Sequence, residues 1–302
     1  MFTRPAIRIG DAIRYESLTV FPLYAEPNER VDYLLSDEAI RAGTVTVQEV
    51  SEGGSVPELS VENRGDLRVL FLEGEELVGA KQNRILNTSV LLPARSTIKI
   101  PVSCVERGRW AYKSQHFGSE GRHSPSKLRH TLKGTVSDSL IGGTGHLSDQ
   151  SKVWDEVDKQ HARMGTSSPT SAMADSFETH QPHIDRYSEQ FPYPEGSVGL
   201  VVAVGDSIVA VDLFDKPATC GKVWKRLLSG FILDAVAPTA NKGPVTQPAV
   251  EDTLAALWNS TWEKVEPVGD GEEFRVKSLD GTQASALAFG ESLVHGSLLT
   301  GA

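Results

Sequence analysis

Residues 197–214 read SVGLVVAVGDSIVAVDLF, and this stretch predicts the fold class. Two strongly apolar runs flank Gly205-Asp206, a pair that suits a tight turn because both residue types accept turn conformations. Apolar runs of this length with a two-residue connection are typical of an antiparallel β-hairpin. A helix is predicted to follow, with Pro217 in its first turn and apolar residues recurring on one face between 223 and 232.

The first third of the chain also predicts antiparallel strands, at 13–24, 44–50, 69–72, 84–92 and 96–105. The last two of these are expected to pair as a hairpin around residues 93–95. One short helix interrupts the series, with Ser36 as its cap and Gly43 at its end.

The C-terminal third predicts a polar linker at 238–248, a helix at 250–265 that includes Trp258 and Trp262, and three short strands within 274–299, around turns at Asp280-Gly281 and Gly290-Glu291.

Residues 113–195 are rich in Ser, Gly, His, Thr and Asp, which predicts loops and short helices in place of sheet. Ser148 is the expected cap of a helix that runs to Met164, and Pro182 is expected to break or kink a second helix. The fold class is therefore α+β, with a mostly antiparallel β-rich N-terminal part, a loop and helix middle segment, and a hairpin-helix-helix-strand C-terminal part. The regions 1–112, 113–195 and 196–302 are either separate or one compact unit.

Composition narrows the classes of function. The 302 residues carry a formal charge of −10, which disfavours binding to a polyanionic nucleic acid over a large surface. Two cysteines are too few for a disulfide scaffold and fit a reducing compartment. A secretory signal and a membrane-spanning segment are not expected, so the predicted location is the cytoplasm.

The densest polar segment is 73–84, with the sequence EGEELVGAKQNR. It is not a phosphate loop of the G-x-x-x-x-G-K-[ST] type, because Ala80 separates the glycine from Lys81 and a glutamine replaces the hydroxyl residue. Its side chains could still bind an anion, with Lys81 as a point charge and Arg84 as a two-pronged donor, while Gln82 and Asn83 contact hydroxyls or a base. A solvated hairpin is the alternative.

A second cluster, SCVERGRW at 103–110, ends the neighbouring predicted strand. Strand pairing would bring Glu106 and Arg109 to the same sheet edge as residues 76–84. Trp110 could stack on a ring or pack in the core. Cys104 could be a nucleophile, although a buried cysteine is more commonly a small apolar group.

Seven of the eight histidines fall within 113–195, but their spacing does not match a zinc site and H-E-x-x-H is absent, so a surface loop is favoured. No cofactor is predicted, and a divalent metal has no support. Asp215 is expected to cap the Pro217 helix. Asp212, in an apolar strand, needs a partner or a cleft, and Lys222 or Lys225 could provide the partner.

Three motifs resemble those of the ADP-ribosylglycohydrolase and rhodanese-phosphatase superfamily associated protein domain family: LEGEELVGAKQNR at 72–84, IPVSCVERGRW at 100–110 and VDLF at 211–214. The resemblance covers nearly the whole chain and implies a cytosolic role near ADP-ribose, NAD or nucleotide-phosphate metabolism. It carries over no established catalytic residue. The matching positions are Glu75, Gly79, Lys81, Gln82, Asn83, Arg84, Cys104, Glu106, Arg109 and Trp110.

Two hypotheses follow. The first is a ligand-binding protein or hydrolase for a phosphorylated nucleoside, with Glu75 and Glu106 as general acid or base and a ligand-binding set of Lys81, Gln82, Asn83, Arg84, Arg109 and Trp110. The second is a non-catalytic interaction module in which these motifs brace the fold. The predicted partner is a nucleotide-like small molecule; membranes and nucleic acids are disfavoured, and a protein partner or a homo-oligomer stays open.

Overall fold

The computed structural model describes residues 2–26, 31–237, 243–279 and 281–301. Its strands are β1 (Arg8–Ile9), β2 (Ile13–Tyr15), β3 (Leu18–Tyr24), β4 (Tyr33–Leu35), β5 (Val45–Glu49), β6 (Glu58–Asn63), β7 (Arg68–Phe71), β8 (Glu75–Gly79), β9 (Arg84–Leu86), β10 (Val90–Leu92), β11 (Ser96–Cys104), β12 (Phe117–His123), β13 (Gly199–Val204), β14 (Ser207–Phe214), β15 (Trp262–Val265), β16 (Glu272–Leu279), β17 (Thr282–Phe289) and β18 (Ser292–Leu299). Its helices are α1 (Ser36–Arg41), α2 (Ser126–Ile141), α3 (Gln150–Met164), α4 (Met173–Gln190), α5 (Pro217–Val236) and α6 (Gln247–Asn259).

The largest sheet is built around the predicted hairpin. β13 and β14 pair antiparallel with Val201 opposite Val211, as the apolar runs indicate. β13 also pairs with β3 and β14 pairs with β18, so strands from both ends of the chain lie in one sheet in the order β1-β3-β13-β14-β18-β17-β16-β15. The α+β class with an antiparallel, strand-rich N-terminal part is confirmed.

A second sheet, β12-β8-β9-β11-β6-β5, carries most of the N-terminal strands, and a small sheet, β10-β7-β4, lies beside it. The expected hairpin of 84–92 with 96–105 is only partly correct. β9 pairs with β11, but β10 pairs with β7 in the small sheet. The chain changes sheets at residues 87–89 because the side chains of this short polar break bond to other elements: Asn87 to the His146 carbonyl, Thr88 to Glu273 and Ser89 to His295.

The middle segment is more regular than predicted. It contains β12, which pairs with β8, and then α2, α3 and α4, of 16, 15 and 18 residues. The cap of α3 is Asp149, whose carboxylate accepts from the Ser151 and Lys152 amides, and not Ser148. α4 continues through the exposed Pro182, because buried Phe177 and Ile184 hold the helix on both sides of it.

The predicted helix at 250–265 is also too long. α6 ends at Asn259, and the extended backbone of Ser260 leads into β15, where Trp262 lies opposite Val276. The Trp262 ring packs edge-on against Phe2, with ring centroids 5.8 Å apart. Residues 238–242 of the expected linker and Asp280 of an expected turn lie outside the described residues.

Helices α2 and α5 pack on the large sheet, α4 packs against α5 and β2, and α3 packs against α2, α4 and β11 of the second sheet. The core beneath them draws residues from all three predicted regions. A layer of fully buried charges lies between this sheet and α2. In it, Arg129 donates to both carboxylate oxygens of Asp212, at 2.9 and 2.7 Å, and Lys133 bonds to Glu73 and Ser297. Each of these charges faces an opposite charge, which offsets the cost of burying it, although Arg129 Nε and Glu73 Oε1 have no hydrogen-bond partner among the described residues.

The expected partners of the two hairpin aspartates are therefore wrong. Lys222 and Lys225 lie on the exposed side of α5, where Lys222 pairs with Glu38 at 2.7 Å. Asp215 does not cap α5, which begins after Lys216 without a side-chain cap. The Asp215 carboxylate instead accepts a hydrogen bond from the Tyr33 hydroxyl.

Candidate functional site

The two polar motifs meet at one edge of the second sheet. β8 ends at Gly79, the chain turns through Ala80 with a positive φ of 39°, and β9 begins at Arg84. Because Arg84 lies opposite Cys104 in the β9 to β11 ladder, the segment after β11 runs beside the turn. The sequence expectation that residues 76–84 and 106–109 share one edge agrees with this geometry.

Asn83, Glu106 and Arg109 satisfy one another. The backbone N–H of Asn83 donates to Glu106 Oε2 at 3.1 Å. Arg109 Nη2 donates to the same oxygen at 2.6 Å and to the side-chain oxygen Asn83 Oδ1 at 3.1 Å. Burial alone would raise the pKa of Glu106, but the hydrogen bonds from Arg109 and Asn83 lower it below its ordinary value. Glu106 is therefore an ionised carboxylate within a closed frame.

Lys81 is held against two aromatic rings. Its Nζ donates to the carbonyl oxygens of Glu52, at 2.5 Å, and Gly53, at 2.8 Å, and lies 5.2 Å from the Trp110 ring centre and 5.1 Å from that of Tyr112. Both rings are about half exposed, at 48% and 54%. A cation near exposed aromatic faces can bind a planar, negatively charged ligand.

Arg84 lies fully buried beneath this surface, with its guanidinium carbon 5.8 Å from the Trp110 ring centre. Nη1 donates to Gln82 Oε1 at 3.0 Å, and Nη2 is 4.0 Å from Glu49 Oε1. Nε and Nη2 have no hydrogen-bond partner among the described residues. Burial lowers the pKa of Arg84, yet a guanidinium keeps its proton, so a positive charge with unused donors lies under Trp110.

An open cavity of about 650 Å³ lies on this edge, lined by residues 48–52 and 112–115. Glu49 connects it to the buried groups, since Glu49 Oε1 accepts from the Lys81 amide at 3.4 Å and Oε2 is buried without a partner in the described part of the chain. Glu49 and Tyr112 are not among the predicted site residues, because each lies outside the two motifs and joins the site only in the folded chain.

Glu75 lies on the other face of β8. Its carboxylate accepts from the Ser36 hydroxyl and from Arg226 Nη1, the latter at 3.3 Å, and is fully buried. The carboxylate near Glu106 is Glu76, which accepts from Asn83 Nδ2 at 3.3 Å. Burial raises the pKa of Glu76 to about 7. Successive side chains of a strand point to opposite faces, so Glu75 and Glu76 lie on different sides of the sheet. The sequence pattern could have shown this, but residues 73–84 were interpreted as a loop.

Gln82 and Cys104 lie in the interior of the site. Gln82 Oε1 accepts from Arg84 and from the Cys104 thiol, whose sulfur is 3.1 Å away. Burial raises the pKa of Cys104, so it is a protonated thiol at neutral pH and a poor nucleophile. The arrangement fits a small buried group that fixes the Gln82 amide.

The expected surface loop of histidines is only partly correct, because His116 and His183 are exposed but other histidines are buried. His123 ends β12 in the interior, and His161 is buried on α3, where its Nε2 lies 3.0 Å from the Ala172 carbonyl oxygen. Burial lowers the pKa of His123 well below its ordinary value, so it is neutral.

Within the described ranges, no group of three or more His, Cys, Asp or Glu side chains is placed to hold a metal ion. In the same ranges, no helix has the length and apolar character needed to cross a bilayer.

Comparison with known proteins places the chain in a family. Neither a curated protein nor a solved structure matches it. The family model of the ARG and Rhodanese-Phosphatase-superfamily-associated Protein domain matches residues 6–299, which includes both polar motifs and the central hairpin. The chain therefore belongs to the ARG and Rhodanese-Phosphatase-superfamily-associated Protein domain family.

Proposed function

We propose that the protein binds a phosphorylated nucleoside of the ADP-ribose type in the cavity beside Lys81, Trp110 and Tyr112. One observation carries the proposal: a lysine ammonium is fixed between two half-exposed aromatic rings, above a buried arginine with unused donors. A base can stack on such rings, and a phosphate is attracted to such charges. The volume of about 650 Å³ suits a ligand of nucleotide size.

Each group has a separate part in this proposal. Trp110 and Tyr112 stack on the base or ribose, and Lys81, with two of its three N–H donors on backbone carbonyls, directs the third to a phosphate oxygen. Arg84 attracts the anion from below and reaches it only when the Trp110 side chain moves. Glu49 accepts from a ribose hydroxyl. Asn83, Glu106 and Arg109 hold the edge in shape.

Binding is supported better than hydrolysis. Glu106, as an ionised carboxylate, could act as a general base, whereas Glu75 lies behind the strand against Arg226 and would not contact the same ligand. The family is associated by name with ADP-ribosylglycohydrolase partners, which supports the choice of ADP-ribose within the nucleotide class.

Isothermal titration calorimetry with ADP-ribose, AMP, ribose 5-phosphate and adenosine tests the proposal. Trp110→Ala and Tyr112→Ala are each expected to weaken binding by about 5- to 150-fold, the range for loss of one stacking ring. Arg107→Ala is the control. It changes the same segment, but the Arg107 side chain pairs with Asp158 at 3.5 Å outside the cavity. No heat with any phosphorylated probe, or unchanged affinity in both ring variants, would contradict it.

The bracing hypothesis has its own supporting observation, since Asn83, Glu106 and Arg109 are hydrogen-bonded to one another. Melting curves of Lys81→Ala without ligand separate the two functions. Near-normal melting together with a lost ligand response favours a binding site. Strong destabilisation, with no ligand response in the unmodified protein, favours bracing.

A further inference from the structure

A second cavity, of about 590 Å³, opens between β12, α4 and α5. Its lining shares no residue with the cavity beside Lys81. Three basic side chains line it: Arg122 from β12, and Lys225 and Arg226 from α5. The volume lies within the range of small-molecule sites, so its chemistry can be considered independently of the proposed function.

Arg226 is the group that indicates a ligand. It is 7% exposed and lines the cavity. Its Nη1 donates to Glu75 Oε1 at 3.3 Å and lies 3.5 Å from Asp37 Oδ1, so both carboxylates are on the Nη1 side of the guanidinium. Nε and Nη2 have no hydrogen-bond partner in the described part of the chain. These two atoms form one side of the guanidinium fork, which matches two oxygens of a carboxylate or a phosphate. Buried donors of this kind are costly to leave unsatisfied.

The other lining groups suit the remainder of a small polar molecule. Arg122 lies 3.6 Å from Glu76 Oε2 and donates to Glu178 at 3.2 Å, and Lys225 is exposed at the rim. Across from them, α4 presents Gln181 and the carboxylates Asp185 and Glu189. Carboxylates beside a cationic floor can accept hydrogen bonds from ligand hydroxyls while the floor binds the anion.

We propose that this cavity is a second binding site for a small hydroxylated metabolite that carries a phosphate or carboxylate group, with the oxyanion on the Arg226 fork. Arg226 lines the cavity, but its two fork atoms are buried, so the oxyanion engages them only when the Arg226 side chain rotates toward the cavity. Lys225 and Arg122 supply the charge that attracts it. The ligand hydroxyls lie against α4.

Calorimetry with ribose 5-phosphate, inorganic phosphate, ribonate and unphosphorylated ribose tests this site. All titrations use Trp110→Ala as background, which removes one stacking ring from the first site. Ribose 5-phosphate or ribonate is expected to bind and ribose is not, and the tighter of the two ligands shows whether the site prefers a phosphate or a carboxylate. Lys225→Glu should weaken binding at least fivefold. Lys222→Ala is the matched control, because it removes an exposed lysine from the same helix that pairs with Glu38 outside the cavity.

Amide hydrogen exchange in the same Trp110→Ala background locates the bound ligand without a further substitution. Added ligand is expected to slow exchange in residues 121–122 and 225–229 and to leave residues 48–52 unchanged. The proposal is overturned if no oxyanion binds at millimolar concentration, if Lys225→Glu binds as well as Lys222→Ala, or if protection appears only at 48–52. Because the Trp110 background is common to all arms, failure here leaves the proposal for the first cavity standing.

Discussion

Glu76 makes a prediction at the scale of a single residue. Burial raises its pKa to about 7 from an ordinary value near 4.5, so the folded state holds this proton more tightly than the unfolded state does. The associated stability is complete below pH 4.5 and is lost as the pH rises through 7. Glutamine at this position cannot ionise, so Glu76→Gln does not lose this stability at high pH. We therefore compare the free energy of unfolding of Glu76→Gln with that of the unmodified protein at each pH. The variant's advantage is expected to be larger at pH 8 than at pH 5 by on the order of 2 kcal/mol.

Urea denaturation at the two pH values measures this difference, with the exposed Glu62→Gln as control. If the change in relative stability between pH 5 and pH 8 were the same for Glu76→Gln and Glu62→Gln, or absent in both, Glu76 would be ionised in the folded protein at pH 5. In that case its pairing with Arg122 would outweigh its burial.

The sequence predicts which residues converge, but not which of them are free to bind. Motif spacing and strand pairing bring Arg84 and Glu106 together, and alternation could have separated Glu75 from Glu76. The partner of Asp212 was beyond reach, because Arg129 lies on a helix distant in sequence and the two meet only through packing. Glu49 reaches the site in the same way.

At the scale of an element, the close packing of α5 on the end of β12 leads to a prediction, because the contact is made at Gly230. A Cβ at Gly230 would lie 2.5 Å from the Ser124 carbonyl oxygen and 2.6 Å from that of His123, and backbone atoms cannot move aside cheaply. We expect Gly230→Ala to destabilise the protein by about 1–3 kcal/mol. Denaturant unfolding monitored by circular dichroism measures it.

Gly134 in α2 is the matched control. A Cβ there would be 3.6 Å from the flexible Gln283 side chain, an ordinary contact. Gly134→Ala should therefore gain up to about 1 kcal/mol from helix propensity alone. If both variants shifted stability in the same direction, the close approach of α5 to β12 would not be limiting.

The elements that sequence analysis predicted well are those with continuous or alternating apolar patterns, such as β13 and β14. It missed the extent of helix in 113–195 for a physical reason. The buried face of α2 includes Arg129 and Lys133 together with Leu128, Leu132 and Val136, so its pattern looks polar although the face is internal. Hydrophobic periodicity cannot recognise a helix whose core contacts are ion pairs.

At the scale of the whole molecule, the sheets predict cooperative unfolding. The large sheet joins β3 to β13, and β12 of the middle region pairs with β8 of the first. The three sequence regions therefore cannot separate without breaking strand pairs. We expect differential scanning calorimetry to show one transition whose calorimetric and van't Hoff enthalpies agree. Two resolved transitions would show instead that at least one region unfolds on its own.

The position of β3 between β1 and β13 also matters while the chain is being synthesised. The apolar strand Leu18–Tyr24 leaves the ribosome before its partner Gly199–Val204, which follows only after the whole middle region has been made. Until then one edge of β3 is unpaired, and such edges promote aggregation. We therefore expect fragments of this protein that stop before residue 204 to aggregate more readily than the full chain, because they lack the strand that covers this edge of β3.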